Sequence, residues 1–295
     1  MKKYIEMIRV KHWIKNFLIF LPLIFSSNIF DLNKVLITLI AFISFSLVAS
    51  TIYIINDIKD IEKDKLHPVK KNRAIASGRV SIKNANIAKY ILIVAGILIG
   101  SINILFIKNI HTILMFFGLV LSYFLINLAY SSGLKNKPII DVIILVYGFV
   151  VRVFIGSVIC NIELSNFMYL TVMTGSFFMG FGKRRNEILK VSGNETREVL
   201  GKYNKDFLDK FMYSSLTLAI VFYSLWCMDI KTIEKIGNNL MIWTVPVIIV
   251  ILMKYSYNIE TDGYGDPVDV ILSDKILLVL ILIYMAFMGS IIYLF

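Results

Sequence analysis

Three aspartates follow a long apolar segment of this chain at spacings that suit a helix. Asp57, Asp60 and Asp64 are three and four residues apart, so a helix would hold their carboxylates on one face. Asn56 precedes Asp60 by four residues and can add an amide oxygen. Carboxylates held together repel one another unless a cation neutralises them, and Mg²⁺ typically binds one or two carboxylates together with substrate phosphates. We therefore predict that these four residues bind Mg²⁺ and that the three aspartates are catalytic.

The alternative for this acidic segment is a solvated amphipathic helix. Its acids would then pair with the lysines that alternate with them, Lys59, Lys63 and Lys65. The position directly after an apolar run, and before a basic segment, favours the metal site.

A basic segment completes this first polar loop, 56–86. The dipeptide His67-Pro68 should end the acidic helix, because a residue before proline avoids the α region. Lys70 and Arg73 follow, and we predict that they donate charge-assisted hydrogen bonds to the phosphates of a substrate.

Three adjacent cations, Lys183, Arg184 and Arg185, open a second polar loop, 183–207, directly after an apolar helix. Such a run suits a phosphate and an anionic lipid headgroup equally well. Because neighbours on a helix diverge by about 100°, only one or two of the three can point into a site. We expect Lys183, Arg184 and Glu187 to bind substrate. Arg185 should face lipid headgroups or pair with Glu187.

A third group of polar residues lies between two apolar stretches. Tyr130, Lys135 and Asp141 are predicted to bind substrate there. Arg152 follows Asp141 by eleven residues, about three helical turns along the same face. An arginine inside an apolar span should face the bundle interior, so we expect a buried carboxylate or backbone carbonyls as its partners.

The composition places these groups in a membrane protein. The mean hydropathy is +0.76, with 58% hydrophobic and 17% charged residues. A spanning helix needs about 20 apolar residues. Nine approximate spans are predicted: 14–29, 35–55, 87–107, 111–130, 139–160, 166–182, 208–228, 240–257 and 274–294. We predict an all-α integral membrane bundle that forms a single domain over residues 1–295.

Charge distribution predicts the orientation of this bundle. Most of the 31 Lys and Arg residues fall in alternate polar segments, namely 1–15, 56–86, 131–138, 183–210 and 254–275. The positive-inside rule then places the N-terminus inside and the C-terminus outside a bacterial or archaeal cytoplasmic membrane. The net charge of +11 follows this topology, so we expect no nucleic-acid partner.

The acidic motif and the helix count resemble the UbiA superfamily of intramembrane prenyltransferases. The family's second Asp-rich motif is replaced here by Lys183-Arg184-Arg185-Asn186-Glu187, which resembles the branch of decaprenyl-phosphate phosphoribosyltransferases. Further matching stretches are Lys11-His12-Trp13-Ile14-Lys15-Asn16, His67-Pro68 with Lys70 and Arg73, Tyr130 with Lys135 and Asp141, and Gly265-Asp266-Pro267 through Ser273-Asp274. Val10 and Ala74 stand where that branch would have proline.

The resemblance implies a nine-helix fold with a cytoplasmic cap of loops and helices over the active site, and substrate contacts from Lys15 and Asn16. It also implies Mg²⁺-dependent transfer of 5-phosphoribose from phosphoribosyl diphosphate to a polyprenyl phosphate. One acidic and one basic loop suit two phosphate-bearing substrates. Transfer of a prenyl group from its diphosphate to another acceptor and transport of an anionic lipid are the alternatives. Association into homo-oligomers is left open by the sequence.

Overall fold

The computed structural model describes residues 2–66, 70–190, 199–261 and 266–294. Within these ranges the chain is helical and has no β-strand. In chain order the α-helices are α1 Lys2–Ile8, α2 Leu21–Ile24, α3 Leu32–Lys59, α4 Ile61–Leu66, α5 Ile82–Ser101, α6 Ile110–Ser131, α7 Ile140–Cys160, α8 Asn166–Lys190, α9 Lys205–Met228, α10 Ile230–Ile236, α11 Val245–Thr261, α12 Pro267–Ser273 and α13 Lys275–Tyr293. The predicted helix end at His67-Pro68 and the matching residue Gly265 lie outside the described residues.

Shorter 3₁₀ segments connect several of these helices. They are Val10–Phe20, Lys70–Asn72, Ile102–Leu105, Leu134–Asn136, Leu200–Lys202 and Leu240–Thr244. Three of them carry predicted substrate residues: Lys15 and Asn16 lie in the first, Lys70 begins the second, and Lys135 lies in the fourth.

Seven helical segments of the described chain are long and apolar enough to cross a membrane. They are Leu32–Lys59, Ile82–Leu105, Ile110–Ser131, Ile140–Cys160, Lys205–Met228, Leu240–Thr261 and Lys275–Tyr293. They coincide with seven of the predicted spans. The other two predictions, 14–29 and 166–182, fall on shorter or less apolar helical segments. The all-α membrane class is therefore confirmed, and nine remains an approximate count of helices.

Several of these spans present their apolar side chains outward. Only 17% of the most apolar window of Ile82–Leu105 is buried, and 22% of the window of Ile110–Ser131. Apolar surface of this extent is rare on soluble monomers but suits contact with lipid. The protein is an integral membrane protein.

The first predicted span differs from the observed helices. Where we expected a helix over 14–29, the chain forms the 3₁₀ segment Val10–Phe20 and the short α2, which ends at Ile24. Eleven residues is long for a 3₁₀ helix, whose hydrogen bonds are less well aligned than those of an α-helix. Close packing accompanies it: a Cβ added at Gly156 of α7 would lie 1.9 Å from the carbonyl oxygen of Ile19.

The acidic segment is interrupted at its centre. We predicted one helix through all three aspartates, but α3 ends at Lys59 and Asp60 has φ −99° and ψ 11°. Two backbone hydrogen bonds still cross this break, from Asp60 to the carbonyl of Asn56 at 2.9 Å and from Asp64 to the carbonyl of Asp60 at 2.8 Å. The helical register therefore continues into α4.

The described helices group into two compact units. The first comprises Met1–Pro22, Asp31–Lys137 and Val151–Ile162; the second comprises Leu23–Phe30, Pro138–Val150 and Glu163–Phe295. A single domain over 1–295 stays a prediction.

Helix α3 is the central element of the first unit, because 72% of its most apolar window is buried. The segment that follows the acids packs onto its end. Ala74, Ile75 and Val80 are buried in one apolar cluster with Met7 of α1 and Ile54 of α3. This cluster fixes the position of the backbone that carries Arg73.

The second unit has its own apolar core. Buried side chains of α7, α8, α9 and α11 meet there, among them Val142, Phe178, Met212 and Tyr255. The first turn of α7 and the last turns of α8 carry the polar residues predicted for the second site, so this core positions them.

Replacing Gly156 by alanine should lower the thermal stability of the detergent-solubilised protein. The added Cβ must displace the backbone of Ile19, and overpacking of this kind costs about 1–3 kcal/mol. Gly118→Ala, on α6, is the matched control, because a Cβ there meets no atom within 4 Å. Equal unfolding temperatures for the two variants would contradict this packing.

Candidate active site

Two buried aspartates form the centre of the first candidate site. Asp57 and Asp64 are each 4% exposed. Both accept hydrogen bonds from Nη1 of Arg73, at 3.1 Å for Asp57 and 2.7 Å for Asp64. The two carboxylates thus converge on a single cationic group. The prediction that Arg73 binds a substrate phosphate remains a prediction, and its partners in this structure are the acids.

A second arginine, Arg9, also pairs with Asp57. Its backbone has φ 54° and ψ 49°, a left-handed conformation that is uncommon for a residue other than glycine. Two hydrogen bonds hold the chain there: the Arg9 amide donates to the carbonyl of Glu6 at 3.2 Å, and the Ser50 hydroxyl donates to the carbonyl of Ile8 at 2.8 Å. Backbone strain of this kind clusters at functional sites.

The third aspartate has a partner from the segment between α6 and α7. Lys135 donates to both carboxylate oxygens of Asp60, at 2.7 and 2.9 Å. Ser131, at the end of α6, donates to the amide oxygen of Asn56. The structure therefore brings the predicted residue Lys135 to the acidic cluster. Gly133 permits the turn between them, with a φ of 138° that suits glycine alone.

The donor atoms of this cluster suit a divalent cation, but cationic side chains occupy it. Among the residues that the structure describes, no three His, Cys, Asp or Glu side chains are grouped so that they could hold a metal ion. Binding of Mg²⁺ by the four predicted ligands stays a prediction. In this structure Arg9, Arg73 and Lys135 neutralise the carboxylates. The oxygen donors and their convergence on one guanidinium fit Mg²⁺ in chemical type.

Asn16, a predicted substrate residue, is buried and makes contacts within the protein, and its contact with a substrate stays a prediction. Asn16 is 1% exposed, donates to Ser46 at 2.8 Å and accepts from Nε of Arg152 at 2.7 Å. The Arg152 guanidinium also lies over the rings of Phe45 and Tyr123, at 4.9 and 5.2 Å. An amide oxygen and two aromatic faces therefore contact this arginine, and its expected pairing with a carboxylate or carbonyls stays a prediction.

Three other predicted substrate residues are partly exposed. They are Lys15, Lys70 and Tyr130. Their contacts with a substrate remain predictions.

In the second unit, Arg184 forms a fully buried ion pair. Neither Arg184 nor Asp141 exposes any side-chain surface, and Nε of Arg184 donates to Asp141. Nη1 of Arg184 donates to Glu187 at 2.6 Å. The structure thus joins three predicted residues, but it gives Arg184 a structural partner on each side. These pairs give Arg184 a positioning role, and its contact with a substrate stays a prediction.

A tyrosine that the sequence analysis did not identify completes this cluster. The Tyr203 hydroxyl donates to Asp141 at 2.6 Å and accepts from the amide of Ile139 at 2.6 Å. Burial raises the pKa of Tyr203, and its bond to the Asp141 carboxylate raises it further. The phenol therefore stays protonated and serves as a donor.

Arg185 points to a different set of acids. It pairs with Asp209, and its Nη2 lies 3.5 Å from Glu260, which also accepts from Tyr213. The predicted pairing of Arg185 with Glu187 is wrong, because Glu187 lies on the side of α8 that Arg184 uses.

Lys183 is the most accessible of the three adjacent cations. Its side chain is 24% exposed, against 9% for Arg185 and none for Arg184. Nζ of Lys183 lies 3.4 Å from Asp266, the N-cap of α12. Nearby in sequence, Asp274 caps α13, and its hydrogen bond from Lys254 lowers the pKa of Asp274 to about 2.

The chain resembles known proteins over nearly its full length. The model of the UbiA prenyltransferase family matches residues 17–262. The decaprenyl-phosphate phosphoribosyltransferase of Corynebacterium glutamicum is 35% identical over 284 residues, which cover 94% of this chain and 83% of that protein. The enzyme of the same name from Mycolicibacterium smegmatis is 30% identical over 304 residues, covering 98% and 92%.

A solved structure has the same fold. It is that of a UbiA homolog from Archaeoglobus fulgidus bound to DMAPP and Mg²⁺, with a TM-score of 0.65. The similarity covers 99% of this chain and 100% of that one, at 17% sequence identity. Sequence identity at this level supports a shared fold. The chemistry must be argued from the residues of this chain.

Three residues of these clusters were not predicted from the sequence: Arg9, Tyr203 and Asp209. Arg9 lies 48 residues from its partner Asp57, and Tyr203 lies 62 residues from Asp141. Only the left-handed backbone at Arg9 marks it as unusual, and no sequence pattern indicates that conformation.

Arg184→Ala should destabilise the protein far more than Lys183→Ala. Loss of Arg184 leaves the buried Asp141 without its cation, which typically costs about 3–5 kcal/mol. Lys183 makes a partly exposed pair of the kind that contributes about 0–1 kcal/mol. Thermal unfolding in detergent measures both.

A second substitution isolates the cause of that loss. Asp141→Asn, added to Arg184→Ala, should recover part of the lost stability because it removes the unpaired charge. A double variant no more stable than Arg184→Ala would show that the charge of Asp141 is not the reason.

Proposed function

The chain belongs to the UbiA prenyltransferase family, and we propose that it transfers 5-phosphoribose from phosphoribosyl diphosphate to a polyprenyl phosphate in the membrane. The products are a polyprenyl-phosphoryl-5-phosphoribose and diphosphate. The chain is thus a transferase.

The observation that carries this proposal is the similarity to the phosphoribosyltransferase of C. glutamicum over 94% of the chain. The residues agree with it. The last turns of α8 carry three adjacent cations, and the end of α3 with α4 carries the acids. This difference in charge suits two different phosphate substrates.

We assign the diphosphate of the donor to the acidic cluster of the first unit. The carboxylates of Asp57 and Asp64 converge on one cationic group, and Asp60 lies one helical turn from each. Asn56, Asp57, Asp60 and Asp64 would hold Mg²⁺, a metal that the A. fulgidus homolog binds. When bound, the metal supplies positive charge to the diphosphate as it leaves.

Arg73 and Lys135 act beside this cluster in the proposed reaction. Both are paired with the aspartates, so both lie within reach of a phosphate that displaces those contacts. Charge-assisted hydrogen bonds from these cations would stabilise the leaving diphosphate.

The bond changes are a substitution at C1 of the ribose. A phosphate oxygen of the lipid forms a bond to C1 while the bond from C1 to the diphosphate oxygen breaks. A phosphate monoester is largely ionised near neutral pH, so no residue is needed as a general base. Catalysis then depends on positioning and electrostatic stabilisation.

We assign the lipid phosphate to Lys183. Its ammonium group is accessible, whereas the guanidinium of Arg184 is buried against Asp141. Arg184, Asp141 and Glu187 would hold the end of α8 in place and so orient Lys183.

Formation of a lipid-linked phosphoribose tests the proposal. Purified protein in detergent should convert phosphoribosyl diphosphate and a polyprenyl phosphate to product in the presence of Mg²⁺, as measured by chromatography of a radiolabelled donor. Asp64→Asn should abolish turnover, because a neutral amide is a poor replacement for a carboxylate ligand.

Dimethylallyl diphosphate offered with the same acceptor is the comparison arm. Transfer from this donor, with none from phosphoribosyl diphosphate, would replace the proposal with prenyl transfer. Near-normal turnover by Asp64→Asn at saturating Mg²⁺ would remove the metal assignment.

The proposed orientation places the site on the cytoplasmic side. Substitution of Lys108 or Lys137 by cysteine tests this orientation. These exposed residues flank the two ends of α6. In a background lacking the two buried free cysteines, Cys160 and Cys227, a cysteine at position 108 should react with an impermeant thiol reagent in intact cells. A cysteine at position 137 should react only after permeabilisation. The reverse pattern would invert the topology.

A further inference from the structure

A cavity of about 240 Å³ opens beside the acidic cluster in the first unit. It is lined by Glu6, Met7, Arg9, Asp57, Asn72, Arg73, Ala74 and Arg79. Three of these side chains are guanidinium groups and two are carboxylates, so the lining has an excess of positive charge. The proposed reaction already uses Asp57 and Arg73. It gives no role to Arg79 or Glu6.

Arg79 is held in a fixed orientation at this cavity. Nη1 donates to Glu6 at 2.6 Å, Nη2 to the carbonyl of Asn72 at 2.6 Å and Nε to Ser77 at 3.1 Å. The Ser77 hydroxyl in turn donates to the carbonyl of Arg73 at 2.7 Å. These bonds use three of the five N–H donors of the guanidinium. The side chain is still 45% exposed, so an incoming ligand can reach it.

The three arginines differ in how strongly acids hold them. Arg9 and Arg73 pair with Asp57, which is almost wholly buried. Arg79 pairs with Glu6, whose side chain is 38% exposed. A solvent-exposed ion pair contributes little free energy, so an anion can replace Glu6 at Arg79 at low cost. Arg79 is therefore the guanidinium of this cavity that is best suited to bind a ligand.

The size and charge of the cavity restrict its ligand. Its volume lies below the roughly 300–1,000 Å³ of pockets for drug-sized molecules, so a long isoprenoid does not fit. Guanidinium groups bind phosphate through paired hydrogen bonds. Contact between these charged groups and a hydrocarbon chain is unfavourable. A small phosphorylated sugar meets both conditions.

We propose that Arg79, supported by Arg9, binds the 5-phosphate of the phosphoribosyl donor. Asp57 lines the same cavity, so a ribose phosphate held by Arg79 extends toward the cluster that we assign to the diphosphate. This subsite would select a phosphosugar over a prenyl diphosphate, which carries no phosphate group apart from its diphosphate. The inference rests on the proposed function.

Ribose 5-phosphate is the probe that tests the subsite, because it carries the 5-phosphate and lacks the diphosphate. Titration calorimetry on the full chain in detergent should give a dissociation constant that Arg79→Ala raises roughly tenfold to hundredfold, as expected for loss of a charge-assisted bond. The KM for phosphoribosyl diphosphate should rise in step, and the KM for polyprenyl phosphate should not change. Lys83→Ala, an exposed cation beyond the cavity, should bind the probe as the unaltered chain does.

Glu6→Gln separates ligand binding from a structural role. It breaks the same ion pair as Arg79→Ala, so a purely structural pair predicts equal losses of affinity in both variants. The subsite predicts opposite effects: Glu6→Gln should tighten binding of ribose 5-phosphate, because Arg79 loses a competing carboxylate.

Equal losses in the two variants, or unchanged affinity in Arg79→Ala, would overturn the subsite even if phosphoribosyl transfer is observed. Conversely, Arg79-dependent binding of ribose 5-phosphate without any transfer from phosphoribosyl diphosphate would support the subsite and reject the proposed function.

Discussion

The cost of burying ionised carboxylates governs both polar clusters of this protein. An unpaired buried charge costs several kcal/mol even after the surroundings relax. Asp57 lies near the end of α3, which is mostly buried, and Asp64 is buried on α4, which follows directly. Each carboxylate therefore needs a cation within hydrogen-bond distance. Arg73 supplies one for both. That requirement explains why the segment after α4 folds back onto α3, where its apolar residues join the cluster around Ile54. Arg9 supplies a second cation to Asp57, from a left-handed backbone that hydrogen bonds to Glu6 and from Ser50 hold in place.

The same constraint assigns different roles to three consecutive cations in the second unit. Successive residues on a helix diverge by about 100°, so Lys183, Arg184 and Arg185 must meet different surroundings. Arg184 points inward to Asp141, and Arg185 meets Asp209. Only Lys183 keeps an accessible charge close to a single acid, Asp266. The three basic residues look alike in sequence but have different roles. One is an accessible cation, and the other two anchor α8.

Local sequence patterns predicted the helices well. They did not predict which residues that are distant in sequence would pair. Hydropathy located seven spans that the structure contains, because a lipid-facing helix needs a continuous apolar stretch. The motifs also predicted the family. The contact between Asn16 and Arg152 could not be predicted, because the two residues are 136 positions apart and no sequence pattern links them. The break at Asp60 was missed because the residue spacing is the same with or without it. Arg9 could not be found, since its partner is 48 residues distant.

The cations that neutralise the acids are also the groups that a phosphate substrate needs, and this links folding to the proposed chemistry. Nη1 of Arg73 donates hydrogen bonds to carboxylate oxygens of both Asp57 and Asp64. Under the proposed function, those carboxylates would hold Mg²⁺, and the guanidinium would then have to leave them. A displaced guanidinium beside a divalent cation would be repelled unless an anion accompanies it. A donor that brings a diphosphate supplies that anion. The acidic cluster should therefore bind metal and diphosphate together more tightly than either alone, because each compensates a charge that the other leaves exposed.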